Sequence, residues 1–330
     1  MSIQQFRNAT VYQIVNDDCG LTPMNLGKCL VPKAARQIAS QEFSTMGFVS
    51  PFGGENSLVG LVNLDTYLIS VLKQERLLPG KAVKQAVEAK VAKIEEAEQR
   101  RLWAKEKSQI KEEVVMAMLP HAFVVHSRLN ALIQYPYIFI DTNSAKKAED
   151  VLCLLREALG SLPVRPLAVK VDPVVSFTHW VANGVSPSNT LSVGEAFKSS
   201  VPSEKPETLS GKNVCLSDED IVDLFANGRQ VTELELSFNL RDDWAIPFNL
   251  TADLVFKGIQ WPVEMGDKLS DDLGEDANTL TEARATYLLL STELRAMVAE
   301  VVEALGGELV ATGLSEADWI EDPVDEDELV

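Results

Sequence analysis

The chain has 330 residues, 46% of them hydrophobic, and a formal net charge of −19. That length is enough for two or three subdomains with buried cores, whereas so acidic a surface repels phosphate and argues against a polyanionic partner unless basic residues are gathered in one place. No run of eighteen apolar residues occurs, which excludes a membrane-spanning helix. The N-terminal residues 1–7 lack the apolar region of a secretory signal, so a cytoplasmic protein is expected.

The first predicted elements are strands over 6–15 and 58–72, which are rich in Val, Tyr, Ile and Leu. A segment around 22–40 lies between them and has helical character, with limits blurred by Pro23 and Pro32.

Residues 73–111 form a basic segment, with eleven Lys or Arg against six Glu. A helix is predicted from Lys81 to Lys107, because apolar residues at steps of four, four and three follow one side: Val83, Val87, Val91 and Ile94. So narrow a stripe suits an antiparallel partner helix over 108–119, ending at Pro120. The segment is therefore predicted to be a protruding helical hairpin. The alternative is a solvated helix face in which each base pairs with a Glu.

After the hairpin, 123–141 is strand-like, and Ser144 is a candidate N-cap for a helix that Gly160 ends. A strand over 164–171 follows. Residues 183–215 are rich in Ser, Pro, Gly and Asn and are predicted to be a linker. A short helix is expected over 217–226.

Strands are predicted over 230–240 and 245–261, and a last helix runs from a Thr279–Glu282 capping box to Gly306. The region 264–330 carries nineteen acids and three bases, and its end, 311–330, is expected to be a mobile acidic tail. The order of elements indicates an α+β chain of several subdomains, with a mixed α/β central part, the hairpin and a C-terminal α/β part.

Motifs for catalysis, cofactors and metals are lacking. The phosphate-loop spacing fails at Gly20–Gly27, no Rossmann fingerprint or GxSxG occurs, and His121 and His126 are too far out of helical phase to share a metal. The four cysteines (Cys19, Cys29, Cys153, Cys215) are scattered and are expected to be reduced thiols. Asp253 with Lys257 is the best nuclease-like pair, but it lacks a second acidic ligand. We therefore expect a non-enzyme with no catalytic residue, metal or cofactor.

Two central blocks resemble the RdgC family, the recombination-associated DNA-binding proteins of bacteria. They are Leu77–Lys90 with Lys107–Phe123, and Ser144–Val164. Weaker matches at Met46–Pro51 and Glu303–Glu308 fall in family order, and the tail 311–330 lies outside the match.

The resemblance implies a homodimer that closes into a ring around duplex DNA, binds without sequence preference and restricts the RecA recombinase. It divides the chain into a central domain (1–76 with 120–172), a hairpin tip (77–119) and a C-terminal base domain (173–310). Nucleoid association and no membrane partner are expected. The DNA-binding candidates on the basic segment are Lys84, Lys90, Lys93, Arg100, Arg101, Lys107 and Lys111.

Phe123 is similar to the family's phenylalanine that enters a pocket of the second subunit and gates the ring. From the residues alone, a core aromatic at a strand start is an equal alternative. The sequence departs from the family pattern at His121, where Arg is usual, and in the acidic tail. The tail also leaves open a second hypothesis, an acidic protein-interaction factor of the same fold that acts on recombination proteins.

Overall fold

The computed structural model of the chain describes residues 5–15, 20–54, 57–203, 207–214, 224–225, 228–240, 244–266 and 278–309. Its helices are α1 (Pro23–Cys29), α2 (Gly80–Glu98), α3 (Ala104–Met118), α4 (Ala145–Leu159), α5 (Pro173–Asn183) and α6 (Thr279–Ala304). Its strands are β1 (Asn8–Ile14), β2 (Ser44–Val49), β3 (Val59–Leu61), β4 (Thr66–Leu77), β5 (Phe123–Gln134), β6 (Tyr137–Ile140), β7 (Val164–Pro166), β8 (Leu191–Ser200), β9 (Thr208–Gly211), β10 (Gln230–Leu240), β11 (Trp244–Thr251) and β12 (Val255–Lys257).

These strands form one twelve-stranded sheet in the order β2-β4-β5-β6-β1-β12-β11-β10-β8-β9, with β3 beside β4 and β7 beside β1. The strand pairs are antiparallel. The predicted α+β class is confirmed. The pairing of β1 with β12 joins the N-terminal strands to the C-terminal ones in the same sheet, and the division into domains stays a prediction.

The sheet has a separate apolar core on each face of its N-terminal half. Leu132 of β5 belongs to one cluster with α5 and α6, whereas its neighbours Ala131 and Ile133 belong to a second cluster with α1 and α4. Because successive residues of a strand point to opposite faces, both faces of β5 must be apolar and both must be covered. The two longest strands, β4 and β5, are therefore fixed from both sides over the first half of β4 and the second half of β5, which pair with each other.

The N-cap of helix α6 lies one residue before the predicted capping box. The N-cap is Asn278, whose side chain accepts a hydrogen bond from the backbone N–H of Thr281 at 2.8 Å, so the Thr279 assignment is wrong. The predicted end of this helix is confirmed. Gly306 and Gly307 follow it with φ values of 81° and 96°, a left-handed conformation that favours glycine. Ser144 does precede α4, but its side chain makes no capping hydrogen bond.

Several strand predictions need correction. Residues 183–215 contain β8 and β9, because Leu191, Phe197 and Ser199 turn inward against β10 despite the polar composition. Turns divide 58–72 into β3 and β4, and 245–261 into β11 and β12, and β7 covers only three residues of the strand expected over 164–171.

Other predictions stay partly open. The segment around 22–40 contains the single short helix α1 and a 3₁₀ turn at Val31–Lys33. Most of the helix expected over 217–226 and the acidic tail lie outside the described residues. Among the described helices, none is both long and apolar enough to cross a membrane.

Candidate nucleic-acid interface

Helices α2 and α3 form an antiparallel pair. Lys90 Nζ lies 2.7 Å from Glu113 Oε2, and Lys107 Nζ lies 3.1 Å from Glu95 Oε1, so residue numbers rise along one helix as they fall along the other. Between the helices runs a small apolar seam of Leu102, Ile110, Val114, Ala86, Val87, Val91, Ile94 and Met118. The apolar stripe read from the sequence thus contacts the partner helix as expected.

The predicted helix from Lys81 to Lys107 is wrong in its extent. Helix α2 ends at Glu98, and Gln99 adopts a left-handed conformation with φ 51°, which stops the helix. Leu102 then folds back into the seam, where it is buried. Arg100 and Arg101 lie in the turn between the helices, and Lys107 and Lys111 belong to α3.

Two carboxylates fix the backbone of this turn. Glu95 accepts the N–H of Leu102 at 2.9 Å, and Glu106 accepts the N–H of Trp103 at 2.8 Å. Glu106 also accepts two hydrogen bonds from the Arg100 guanidinium, at 2.6 and 3.0 Å. The bonds from Arg100 and, after them, from the Trp103 amide lower the pKa of Glu106 from 4.5 to about 2, and the same pairing raises the pKa of Arg100.

Acid is therefore expected to loosen the turn. The pKa of Glu106 is lower in the folded turn than in the unfolded chain, so its contribution is fully present above about pH 4.5 and is lost as the pH falls toward 2. The Trp103 amide should lose hydrogen-exchange protection, relative to amides of the central strands, between pH 5 and pH 2.5. Glu106→Gln should reduce this protection already at pH 5 and make it insensitive to acid in that range. Protection of wild-type Trp103 that stays constant over the same range would contradict this role of Glu106.

The seven predicted DNA-binding residues fall into two groups by their ion pairs. Four are paired with acids of the hairpin: Lys84 with Glu88 at 3.8 Å, Lys90 with Glu113, Arg100 with Glu98 and Glu106, and Lys107 with Glu95. The other three, Lys93, Arg101 and Lys111, are exposed and have no carboxylate within 4 Å among the described residues. The salt-bridged alternative thus describes four of the candidates and leaves three available.

These three cations lie at different places on the hairpin. At 100° per residue, Lys93 shares an edge of α2 with Lys90, and Lys111 shares an edge of α3 with Lys107. The pairs Lys90–Glu113 and Lys107–Glu95 close opposite edges, so Lys93 and Lys111 border opposite sides of the hairpin, and Arg101 lies at its tip. The seven residues therefore do not form one face.

The basic charge of the segment is also shared with the sheet. Lys73 and Arg76 belong to β4, and Arg76 donates hydrogen bonds to the carbonyls of Leu119 and Ala122 at 2.8 and 3.3 Å. This arginine anchors the exit of the hairpin. Residues 77–119 alone hold nine bases and seven acids, a net charge of +2.

Phe123, the predicted gate residue, begins β5 opposite Leu77 and is 83% exposed. The alternative of a core aromatic is therefore wrong for the single chain. Leu77 and Val125 lie on the same side of the two strands and are 56% and 50% exposed, so the three side chains form an apolar patch at the base of the hairpin. Whether a second subunit covers this patch stays a prediction.

The remaining candidates are not brought together. Lys257 Nζ bonds to Glu233 at 3.0 Å, a carboxylate that it shares with Lys198, and Asp253 lies exposed in the turn before β12. His121, His126 and His179 are exposed, and Cys29 and Cys153 are free thiols. In the described part of the chain, no three His, Cys, Asp or Glu side chains are grouped to hold a metal ion.

Sequence reasoning missed Trp103, which is 76% exposed and lies two residues after Arg101. The available signal was a lone aromatic residue within the mostly polar run 99–109, off the apolar stripe of either helix.

Fold and hairpin together describe an α+β protein with a helical arm that carries unpaired cations. The sequence model described as "Putative exonuclease, RdgC" matches residues 5–308. The chain is 37% identical over 312 residues to the recombination-associated protein RdgC of Pseudomonas aeruginosa PAO1, 35% identical over 315 residues to that of Pseudomonas syringae pv. syringae B728a, and 34% identical over 312 residues to that of Pseudomonas fluorescens Pf0-1. Each match covers 94% of this chain and 99% of the relative. The chain belongs to the RdgC family.

Proposed function

We propose that the protein acts in recombination as a non-enzymatic, sequence-independent DNA-binding protein. Two copies close into a ring around duplex DNA, and by occupying the DNA they restrict access of RecA. The observation that supports this most is the hairpin, where Lys93, Arg101 and Lys111 present unpaired charge in a protein of net charge −19. Binding of such cations to DNA phosphates is favourable because it releases condensed counterions, and it makes no contact with the base edges.

The ring reconciles an acidic surface with an anionic ligand. In the proposed ring the hairpins and the Phe123 patches of two copies meet, so that the cations on one edge and at the tip of each hairpin face the enclosed DNA. The apolar patch of Leu77, Phe123 and Val125 supports a contact of this kind, because three neighbouring exposed apolar side chains lose unfavourable hydration when a partner covers them.

Filter binding to relaxed circular and linear duplexes of equal length tests the proposal. We expect similar initial affinities for the two DNAs that fall steeply with salt. Dissociation from the circle should be slower, because a closed ring can slide off the end of a linear duplex whereas a circle has no end. Absence of binding at low salt would instead support the alternative hypothesis of an acidic protein-interaction factor that acts on recombination proteins. The acidic C-terminal region is the feature that favours this alternative. End-labelled DNA incubated with Mg²⁺ or Mn²⁺ should stay intact, and nucleotide release would contradict the non-enzyme proposal.

Deleting residues 314–330 should raise DNA affinity, most strongly at low salt. This segment carries eight acids and no base, so it can mimic a phosphate chain and compete for the hairpin lysines, an effect that salt screens over about 8–10 Å. Glu308 bonds to Tyr137 beside Gln134, at the opposite end of β5 from the hairpin. The strand spans about 37 Å at 3.4 Å per residue, and the twenty-one residues after Leu309 can reach about 70 Å when extended.

Binding constants for both forms at 20 and 150 mM salt decide the role of the tail. A substitution of its eight acids by Asn and Gln is the matched control and should behave as the deletion does. If the full chain and the deletion form bind DNA equally at both salt concentrations, the tail has no inhibitory role. Weaker binding by the deletion form would contradict the proposal.

A further inference from the structure

Trp103 differs from Trp180 and Trp261 in its surroundings. Trp180 is buried and packs against Phe177 with ring centroids 5.6 Å apart, and the indole N–H of Trp261 donates to the Phe6 carbonyl at 2.6 Å. Trp103 is 76% exposed, and none of the aromatic pairs found among the described residues includes it. It also lies outside the apolar seam of the hairpin.

The backbone that carries this exposed indole is held in place. Glu106 binds the Trp103 amide, Glu95 binds the amide of Leu102, and the Leu102 side chain is buried. Gln99 is kept in the left-handed region, which a non-glycine residue adopts only when its surroundings enforce it. The turn is therefore ordered by contacts that leave the aromatic ring facing water, as a surface prepared for a ligand requires.

The chemistry beside the ring selects the kind of ligand. Arg101 is two residues away in the same turn, is exposed and has no carboxylate within 4 Å among the described residues, so the tip carries both an exposed indole and an exposed guanidinium. A nucleotide offers the complement of both, a π-face and a phosphate. In a duplex the base faces are covered by their neighbours, so only an unpaired base can stack on the indole.

We propose that Trp103, with Arg101 beside it, is a stacking site for an unpaired nucleobase of single-stranded DNA. The site lets the hairpin tip engage gaps, frayed ends or opened segments next to the duplex. This inference rests on the proposed DNA binding and adds to it a preference at the tip that phosphate contacts cannot supply.

The test compares an oligo(dT) strand with an abasic strand of the same length, which keeps the phosphates and lacks the bases. Trp103→Ala should weaken binding to oligo(dT) by about tenfold or more and leave binding to the abasic strand unchanged. Trp103→Phe, which keeps an aromatic face, should retain most of the affinity. The slope of log K against log salt should stay the same in both variants, because stacking releases no phosphate counterions.

Fluorescence gives a second readout. Oligo(dT) should quench the tryptophan emission of the wild-type protein, and most of this quenching should disappear in Trp103→Phe, although the other four tryptophans remain. Melting temperatures of both variants should match the wild type, because the side chain is exposed.

The outcomes separate failure of this site from failure of the proposed function. If wild-type protein binds DNA and Trp103→Ala binds oligo(dT) equally well, the stacking site is wrong and DNA binding stands. Equal losses on both strands, or a change in the sedimenting mass of the protein, would also overturn it in favour of a structural role or a contact with a second copy. If the wild type binds neither strand nor duplex, both proposals fail.

Discussion

Replacing Lys93, Arg101 and Lys111 together by alanine is expected to flatten the slope of log K against log salt by roughly one to two units for each hairpin that contacts DNA, because a duplex along one edge reaches one of the two lysines and the tip. Each lost phosphate contact removes about 0.9 unit of slope and about tenfold in affinity at 50 mM salt. These residues are chosen because none has a carboxylate within 4 Å among the described residues, whereas Arg100 and Lys107 also fix the turn. The circular dichroism spectrum should stay near that of the wild type, because all three side chains are exposed.

A matched control removes the same charge elsewhere. Lys28, Lys146 and Lys212 are exposed lysines on three separate parts of the chain. Their combined replacement by alanine should leave the slope nearly unchanged, because contact with phosphate and not net charge determines it. Equal flattening in both triple variants would mean that the hairpin has no special part in binding.

Single replacements then locate the DNA on the hairpin. Lys93 and Lys111 border opposite edges, so a duplex that lies along one edge should respond to only one of Lys93→Ala and Lys111→Ala. A response to Arg101→Ala alone would place the phosphates at the tip. Filter binding at five salt concentrations is sufficient, because the slopes differ by about one unit for each contact.

The sequence was most informative where periodicity is long and local. The limits of β1, α4 and β10 lie within a few residues of those predicted, because each has an uninterrupted apolar pattern between clear turn signals. The antiparallel partner of α2 was also predictable, since a narrow apolar stripe on a charged helix requires a second helix. These features depend on residues close together along the chain.

The turn of the hairpin could not be found in this way. Residues 95–107 are mostly good helix formers, so propensity favours a continuous helix. Burial of Leu102 and the bond from its amide to Glu95 override that preference, and burial of Leu102 exists only once α3 has docked on α2. Likewise β8 has a linker-like composition and is a strand because it pairs with β10, more than thirty residues further along.

The ion pairs explain why the site was predicted only in part. A search for acids at i,i+4 finds the Lys84–Glu88 pair, but Lys90 pairs with Glu113 across the hairpin, at a separation set by the tertiary fold. Four bases that looked equivalent to the other three in sequence are therefore partly neutralised. Local charge density identified the segment, and the three-dimensional contacts select the residues within it.

The proposed ring makes Phe123 the residue whose loss should most affect retention on DNA. Phe123→Ala is expected to leave a dimer in solution through the second contact and to shorten the lifetime on a closed circular duplex by about thirtyfold. This factor corresponds to the ~2 kcal/mol that truncation of a well-packed interface aromatic commonly costs. Because the side chain is 83% exposed in the single chain, the melting temperature of a dilute, dissociated sample should not change.

Leu64→Ala is the matched control, since Leu64 is 90% exposed but lies in the turn between β3 and β4, at the other end of β4 from Phe123. Lifetimes on relaxed circles and on linear DNA are measured for both variants after adding excess competitor. Only Phe123→Ala should make the complex with circular DNA as short-lived as the complex with linear DNA, because a ring with an open gate releases DNA that has no end. A circular lifetime equal to that of the wild type would remove Phe123 from the gate, and a sharp fall in melting temperature would mean that the ring packs within its own subunit.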